Sequence, residues 1–224
     1  MLFRLFNTVY NQIVACHNTM PLRCCLPVTV KGSLATWYMT EHIGRRINSA
    51  SNFHTMGSKG ELIFCYGTLK KGQPNNKIII DETTGHAKFI CQGRIKHKYP
   101  LIIASQYNIP FLLYAEGKGY NVQGDVYEVD EQKRDFLDDF EGHPTYYERM
   151  LTEIVVDEEN AYDGEKLPKT LMCWVYFLKD FNQDMLDLQF YQNYDSFGSH
   201  GQRYVERYLR PQSADETIKK YVKC

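Results

Sequence analysis

One stretch of this chain is bracketed as a helix at both ends, and almost everything around it is broken into short apolar runs. Asp130 is a good N-cap for Glu131 to Glu141, Phe136, Leu137 and Phe140 share one face of that segment, and Gly142 supplies its stop. Ahead of it, Leu62 to Cys65 form a continuous apolar run that suits a strand buried on both faces and ending at Tyr66. Ala87 to Ile95 alternates well enough for a strand, while Leu101–Ile103 and Phe111–Tyr114 are short runs bounded by turns. Val122 to Val129 alternates again, with Val122, Gly124, Val126 and Glu128 on one face and Gln123, Asp125, Tyr127 and Val129 on the other. Tyr146–Val156 and Thr170–Leu178 read as the last strands, separated by an exposed loop over residues 157–169. Pro74 suits the first position of a short helix running to Ile80, and Asp215–Val222 suits a terminal one. Many short strands around one good helix predict an α+β fold, a small mixed β-barrel flanked by a few helices. Seventeen Tyr and twelve Phe favour aromatic strands over a helical bundle in the same way.

The first 60 residues differ from the rest. Arg4, Arg23, Lys31, Arg45, Arg46 and Lys59 face Glu41 alone, a net of +5, so the remaining chain carries −6 within a total of −1. Basic, acid-poor segments rich in Ser and Thr resemble mitochondrial transit peptides; the alternative is an extension without an address, which leaves the protein cytoplasmic. Met56, just before the first strand, is an alternative start. Residues 1–60 are therefore expected to be a basic extension, poorly ordered or targeting, followed by one domain over 61–212 and a C-terminal tail over 213–224. The near-neutral balance argues against a nucleic-acid partner, and no apolar run approaches a membrane span. Seven Cys without a Cys-x-x-Cys pair signal neither a disulfide framework nor a zinc site, and the His residues lack ligand spacing, so no metal is expected. Cys65, Cys91 and Cys173 lie in apolar runs and read as core thiols of a reducing compartment.

The bend after the first strand, Tyr66-Gly67-Thr68-Leu69-Lys70, has the makings of an anion-binding concavity, because successive backbone N–H groups leave the strand there. Gly67 allows close backbone approach to a ligand. Downstream come Gly72-Gln73-Pro74-Asn75, Tyr99-Pro100-Leu101, Asn108-Ile109-Pro110, Gly124-Asp125-Val126-Tyr127, Leu137-Asp138-Asp139-Phe140-Glu141, then Tyr147, Arg149 and Tyr194-Asp195-Ser196. This ordered set, from about Glu61 to Tyr204, resembles the γ-glutamylamine cyclotransferases of the γ-glutamylcyclotransferase-like superfamily.

The resemblance implies a β-barrel flanked by helices and a cofactor-independent reaction on a small γ-glutamyl substrate. The glutamyl α-amine attacks its own γ-amide, yielding 5-oxoproline and a free amine such as the lysine of γ-glutamyl-ε-lysine. It also implies that Glu141 is the proton acceptor and that Tyr66, Gly67, Thr68 and Leu69 form the substrate-binding loop, whose amides would hold either the glutamyl carboxylate or the developing oxyanion. The residues themselves agree about Glu141: four positions after Leu137 it projects from the core face, at the helix C-terminus and near Asp138. Burial, helix dipole and like charge are expected to raise its pKa; the competing reading pairs it with Arg149. Tyr147 and Arg149 alternate onto one strand face as pocket residues, with core packing and a structural ion pair as their rivals. No nucleophile-elbow glycine pattern surrounds Ser196, which argues against a triad through Ser196 and His200. Gly72-Gln73-Pro74-Asn75 favours γ-glutamylamines; the alternatives are a cyclotransferase on γ-glutamyl amino acids or glutathione, and a non-catalytic binding module. The protein is expected to act as a monomer.

Overall fold

The computed structural model describes residues 60–157 and 167–223. The basic extension up to Lys59 and residues 158–166 of the expected loop lie outside them.

Seven strands form, β1 (Glu61–Cys65), β2 (Ala87–Ile95), β3 (Leu101–Ala104), β4 (Ile109–Leu112), β5 (Gln123–Val129), β6 (Glu148–Val156) and β7 (Thr170–Phe177). Five of them close a barrel in the order β1-β5-β2-β6-β7, and β3 and β4 pair as a separate hairpin. Neighbours run antiparallel except at the closure, where β1 meets β7 in parallel through Ile63 and Trp174. A register shift between Phe89 and Cys91 bends β2 against β5. The expected α+β barrel is the one observed.

Alternate residues of one strand enter two different cores, as the pleat requires. Phe64, Cys91, Val126, Ile154, Cys173, Val175 and Phe177 fill one. Ile63, Cys65, Tyr127, Val129 and Tyr176 join the other, which packs beneath Leu137, Ile218 and Val222 of the helices. The three thiols Cys65, Cys91 and Cys173 are buried, and none is paired among the described residues.

Helix α1 (Asn76–Ile79) is a single turn beginning after Asn75, so Pro74 lies in the turn before it rather than at its first position. Helix α2 (Glu131–Glu141) has both expected ends. The Asp130 carboxylate accepts from the Lys133 N–H at 2.8 Å and from the His86 N–H at 2.9 Å, an N-cap arrangement of about 1 kcal/mol. Gly142 stands in the left-handed region at φ 68° and donates back to the helix carbonyls, a conformation a side chain would strain. Lys133 was not expected in the core, yet it is fully buried, donating to the Asp81 carbonyl at 2.7 Å and the Thr84 hydroxyl at 2.7 Å.

Helix α3 (Ala214–Val222) carries acids in its first turn and lysines in its last, complementing its dipole. Ala214, Ile218 and Val222 recur every four residues and are buried in the second core, so the segment read as a tail packs as part of the domain. Lys223 just beyond it reaches the Thr145 carbonyl at 2.7 Å, holding the chain that leads from α2 into β6.

Candidate active site

β1 ends at Cys65, and the chain turns through Gly67 to Asn75 before α1. The turn closes on itself: Lys70 N–H donates to the Gly67 carbonyl at 3.2 Å and Asn75 N–H to the Thr68 carbonyl at 2.9 Å. Among the described residues, no protein acceptor is paired with the N–H groups of Gly67, Thr68 and Leu69. Three successive amides therefore keep their donors available, as an anion-binding bend requires. Gly67 packs closely here: a Cβ would sit 3.0 Å from Pro110 Cγ on β4, so the proline would have to shift.

The turn is clamped from several sides. Lys71 N–H donates to Asp125 at 2.7 Å, and Asn76 reaches the Leu69 carbonyl at 2.9 Å. Asn75 donates to the Thr68 hydroxyl at 3.0 Å and to the Tyr204 hydroxyl at 3.1 Å. The Gln73 amide donates to Asp195 at 3.1 Å and accepts from the Ser196 N–H at 2.8 Å, and Lys70 donates to Asn193. Tyr194-Asp195-Ser196 thus has a physical role that its sequence did not disclose: it grips Gln73 and fixes the turn. Ser196 Oγ accepts from the Tyr204 N–H at 3.0 Å, while His200 contacts the Asp195 carbonyl at 2.6 Å, so the two are not joined as a nucleophile and base.

Glu141 closes α2 and makes no hydrogen bond or salt bridge within the described residues. Burial pushes its carboxyl up to about 7, against an opposing pull from the Arg207 guanidinium. Its charge is felt by Cys65, Tyr66, Tyr146, Tyr147 and Tyr176, whose acid groups all lie well above their ordinary values; burial is the largest cause in each. Cys65 and Tyr66, at the end of β1 where the turn begins, are thus within the electrostatic reach of Glu141. Tyr66 is buried and donates to the Tyr176 carbonyl at 2.9 Å. Tyr147 is buried, stacked on Phe111 with centroids 6.3 Å apart, and edge-on to Tyr146 at 5.1 Å. Leu69 packs into the outer core and Thr68 is held by Asn75.

Two expectations change. Asp138 does not act on Glu141 as a bare like charge: it accepts from the Tyr176 hydroxyl at 2.6 Å and faces Arg149 Nε at 3.0 Å. That Arg149 contact lies off the N–H direction, so it is ionic rather than a directed hydrogen bond. Arg149 is likewise not the partner of Glu141. Its Nη1 lies 3.3 Å from Glu61 and its guanidinium 4.6 Å over Trp174, a position on the barrel wall between two carboxylates and a ring. The cation that does reach Glu141 is Arg207, which donates to the Phe140 carbonyl at 3.3 Å. Sequence reasoning missed it, along with the Tyr146 hydroxyl, which is buried without a partner. The only signal for Tyr146 was its place beside Tyr147.

Among the described residues, no three His, Cys, Asp or Glu side chains gather as a metal site would require. A cavity of about 590 Å³ opens beside Tyr191, Asn193, Asp195 and His200, and neither Glu141, Tyr66 nor Tyr147 lines it. No helix among the described residues is long and apolar enough to cross a membrane.

The five-stranded barrel thus carries a bend whose amides have no protein acceptor among the described residues and, at the end of α2, a half-buried carboxylate without a hydrogen bond there. Residues 63–196 match the model of the γ-glutamyl cyclotransferase, AIG2-like family. The γ-glutamylaminecyclotransferase of Rattus norvegicus is 45% identical over 145 residues, which span 65% of this chain and 96% of that protein. The Homo sapiens γ-glutamylaminecyclotransferase is 43% identical over 148 residues, spanning 65% and 97%. The crystal structure of an AIG2-like protein from Mus musculus superposes with a TM-score of 0.63 at 42% identity, covering 68% of this chain and all of that one. The chain belongs to the γ-glutamyl cyclotransferase, AIG2-like family.

Proposed function

We propose that this protein is a γ-glutamylamine cyclotransferase, and that Glu141 is its general base. The observation that carries this is a carboxyl raised to about 7 by burial, without a hydrogen bond among the described residues, whose charge reaches Tyr66 beside the turn whose amides have no acceptor among those residues. The names of its relatives support the substrate class.

The substrate is held folded, so that its α-amine meets its own γ-carbonyl; fixing both atoms supplies about 7–11 kcal/mol of the barrier. The Glu141 carboxylate takes a proton from the α-ammonium, since only the neutral amine is nucleophilic. The amine nitrogen bonds to the γ-carbon, and the carbonyl oxygen becomes an oxyanion. The N–H groups of Gly67, Thr68 and Leu69 meet that charge as fixed dipoles. Collapse breaks the amide C–N bond as protonated Glu141 gives its proton to the departing nitrogen, and the ring nitrogen then passes its second proton to Glu141, from which it leaves to solvent, so that a neutral lactam results. The products are 5-oxoproline and the free amine. Proton transfer of this kind contributes about 10²–10⁴-fold.

Tyr66 and Tyr147 shape the wall next to Glu141, and Arg149 stabilises the barrel rather than touching the substrate. The buried free thiols fit a reducing compartment, and we read the protein as cytoplasmic. Recovery of the full-length protein in mitochondria, and of a Met56-started protein in the cytosol, would overturn that address.

The test is release of 5-oxoproline from γ-glutamyl-ε-lysine, γ-glutamyl-alanine and glutathione, each incubated separately with purified protein. Turnover of γ-glutamyl-ε-lysine is expected. Turnover of glutathione alone would replace the substrate class, and no turnover of any would make the protein a binding module.

A further inference from the structure

The six arginines of the described residues divide into two groups. Arg94, Arg134 and Arg149 each face a carboxylate, on Asp157 at 2.8 Å, Glu61 at 2.5 Å and Asp138 at 3.0 Å respectively. Arg203, Arg207 and Arg210 make no salt bridge within those residues, although Arg207 lies within the electrostatic reach of Glu141. Each lies over an aromatic ring instead: Arg203 over Phe197 at 5.0 Å, Arg207 over Phe140 at 4.5 Å, and Arg210 over Tyr107 at 5.1 Å and Tyr204 at 4.9 Å. All three follow the residues that the family model matches.

Arg207 and Arg210 stand at the two ends of one 3₁₀ turn, with the Arg210 N–H donating to the Arg207 carbonyl at 3.1 Å. Arg207 is exposed and touches α2 at the Phe140 carbonyl, one residue before Glu141. Arg210 spends Nε on the Val205 carbonyl at 2.8 Å, and its Nη2 is buried without a partner among the described residues. Tyr204, against which it packs, accepts a hydrogen bond from Asn75 at the end of the substrate turn. The unpartnered Tyr146 hydroxyl lies within the field of both guanidiniums and of Glu141.

A buried guanidinium nitrogen without an acceptor is costly, and a planar fork of donors is matched best by a carboxylate. The glutamyl carboxylate is one carbon away from the attacking amine, which places it beside Glu141 and the turn. The leaving nitrogen is at the other end of the glutamyl chain from that carboxylate, and Arg207, joined to α2 one residue before Glu141, is exposed. We propose that Arg207 and Arg210 form a subsite for a carboxylate carried at the far end of the leaving amine. The site would thereby select γ-glutamyl derivatives of amino acids bonded through a side-chain amine over those of plain alkylamines and diamines. This rests on the cyclotransferase reading above.

Two probes isolate the carboxylate, γ-glutamyl-6-aminohexanoate and γ-glutamyl-hexylamide, which match in length up to that group. The wild-type protein should prefer the first in kcat/KM by about tenfold, the size of one well-formed, partly exposed charge pair. Arg207→Ala should bring the ratio to near one, slowing the first probe more than the second, any effect exerted through Glu141 being common to both. Arg207→Lys should keep part of the preference, and raising the salt should erode it in the wild type. Arg210→Lys, which keeps the charge and the packing stem, should lower the ratio without unfolding the domain. Equal loss on both probes would mean that Arg207 acts through Glu141 rather than on the ligand, and no loss would make it a surface arginine; either overturns the proposal. Turnover of γ-glutamyl-ε-lysine without discrimination between the probes would overturn the subsite and leave the cyclotransferase standing. Failure on all three substrates would overturn both.

Discussion

Two polar clusters lie on the same side of the barrel, three residues apart on one helix, and they are built in opposite ways. Asp138 is saturated: Arg149 and Tyr176 meet it, and Arg149 goes on to Glu61, which also holds Arg134. Glu141, one turn further along α2, has no hydrogen bond or salt bridge among the described residues, and its neighbours are tyrosines. A saturated cluster spends its donors on holding the barrel to the helix. A bare carboxylate in the same setting costs stability and is kept in a state from which it can move protons. The same division separates the paired arginines of the wall from the unpaired ones of the C-terminal segment.

The sharpest way to break this contrast is Glu141→Gln, which preserves shape and removes basicity. Turnover of γ-glutamyl-ε-lysine should fall by about 10²–10⁴-fold. The folded protein should become more stable in neutral and alkaline buffer. With the folded carboxyl at about 7 against its ordinary 4.5, the folded state keeps its proton while the unfolded chain releases it. Wild-type stability therefore falls as pH rises between those two values and is level above them. The variant escapes that loss, by about 2–3 kcal/mol at pH 8 once solvent screening is allowed for, and the gain disappears below the lower value. Urea unfolding at pH 8 and at pH 4 reads both numbers.

Arg149→Met acts on the saturated cluster and should do the reverse. Stranding Asp138 and Glu61 should cost about 2–3 kcal/mol of unfolding free energy. At temperatures where the variant is folded, kcat and KM should stay close to wild type. A raised KM at unchanged stability would return Arg149 to the pocket. Gln73→Ala removes two hydrogen bonds of the clasp on the turn and should have the smallest effect, about 1 kcal/mol of stability with a several-fold rise in KM. An unchanged KM would separate the clasp from the site.

What the sequence disclosed and what it hid follow the same line. Caps, periodicity and turn residues act over a few neighbours, so α2, its two ends and most of the strands were legible, and the spacing from Leu137 placed Glu141 on the core face. Side-chain partners chosen across the fold were not. Nothing near Glu141 in the chain points to Arg207, and nothing near Gln73 points to Asp195 and Ser196, because those contacts exist only once the barrel brings the C-terminal segment back over the turn. Nothing in the sequence near Lys133 marks it as buried, since its acceptors lie on the chain ahead of β2. Asp138 looked like a like-charge neighbour because its own neutralisation by Arg149 comes from the far wall.

The central claim concerns the ionisation of one carboxyl, and carbon-13 NMR of the glutamate side chains, with Glu141→Gln assigning the signal, measures it directly. The account predicts a midpoint near 7 for Glu141 in the ligand-free protein. A midpoint near the ordinary 4.5 would show a solvated helix-end carboxylate and would contradict it.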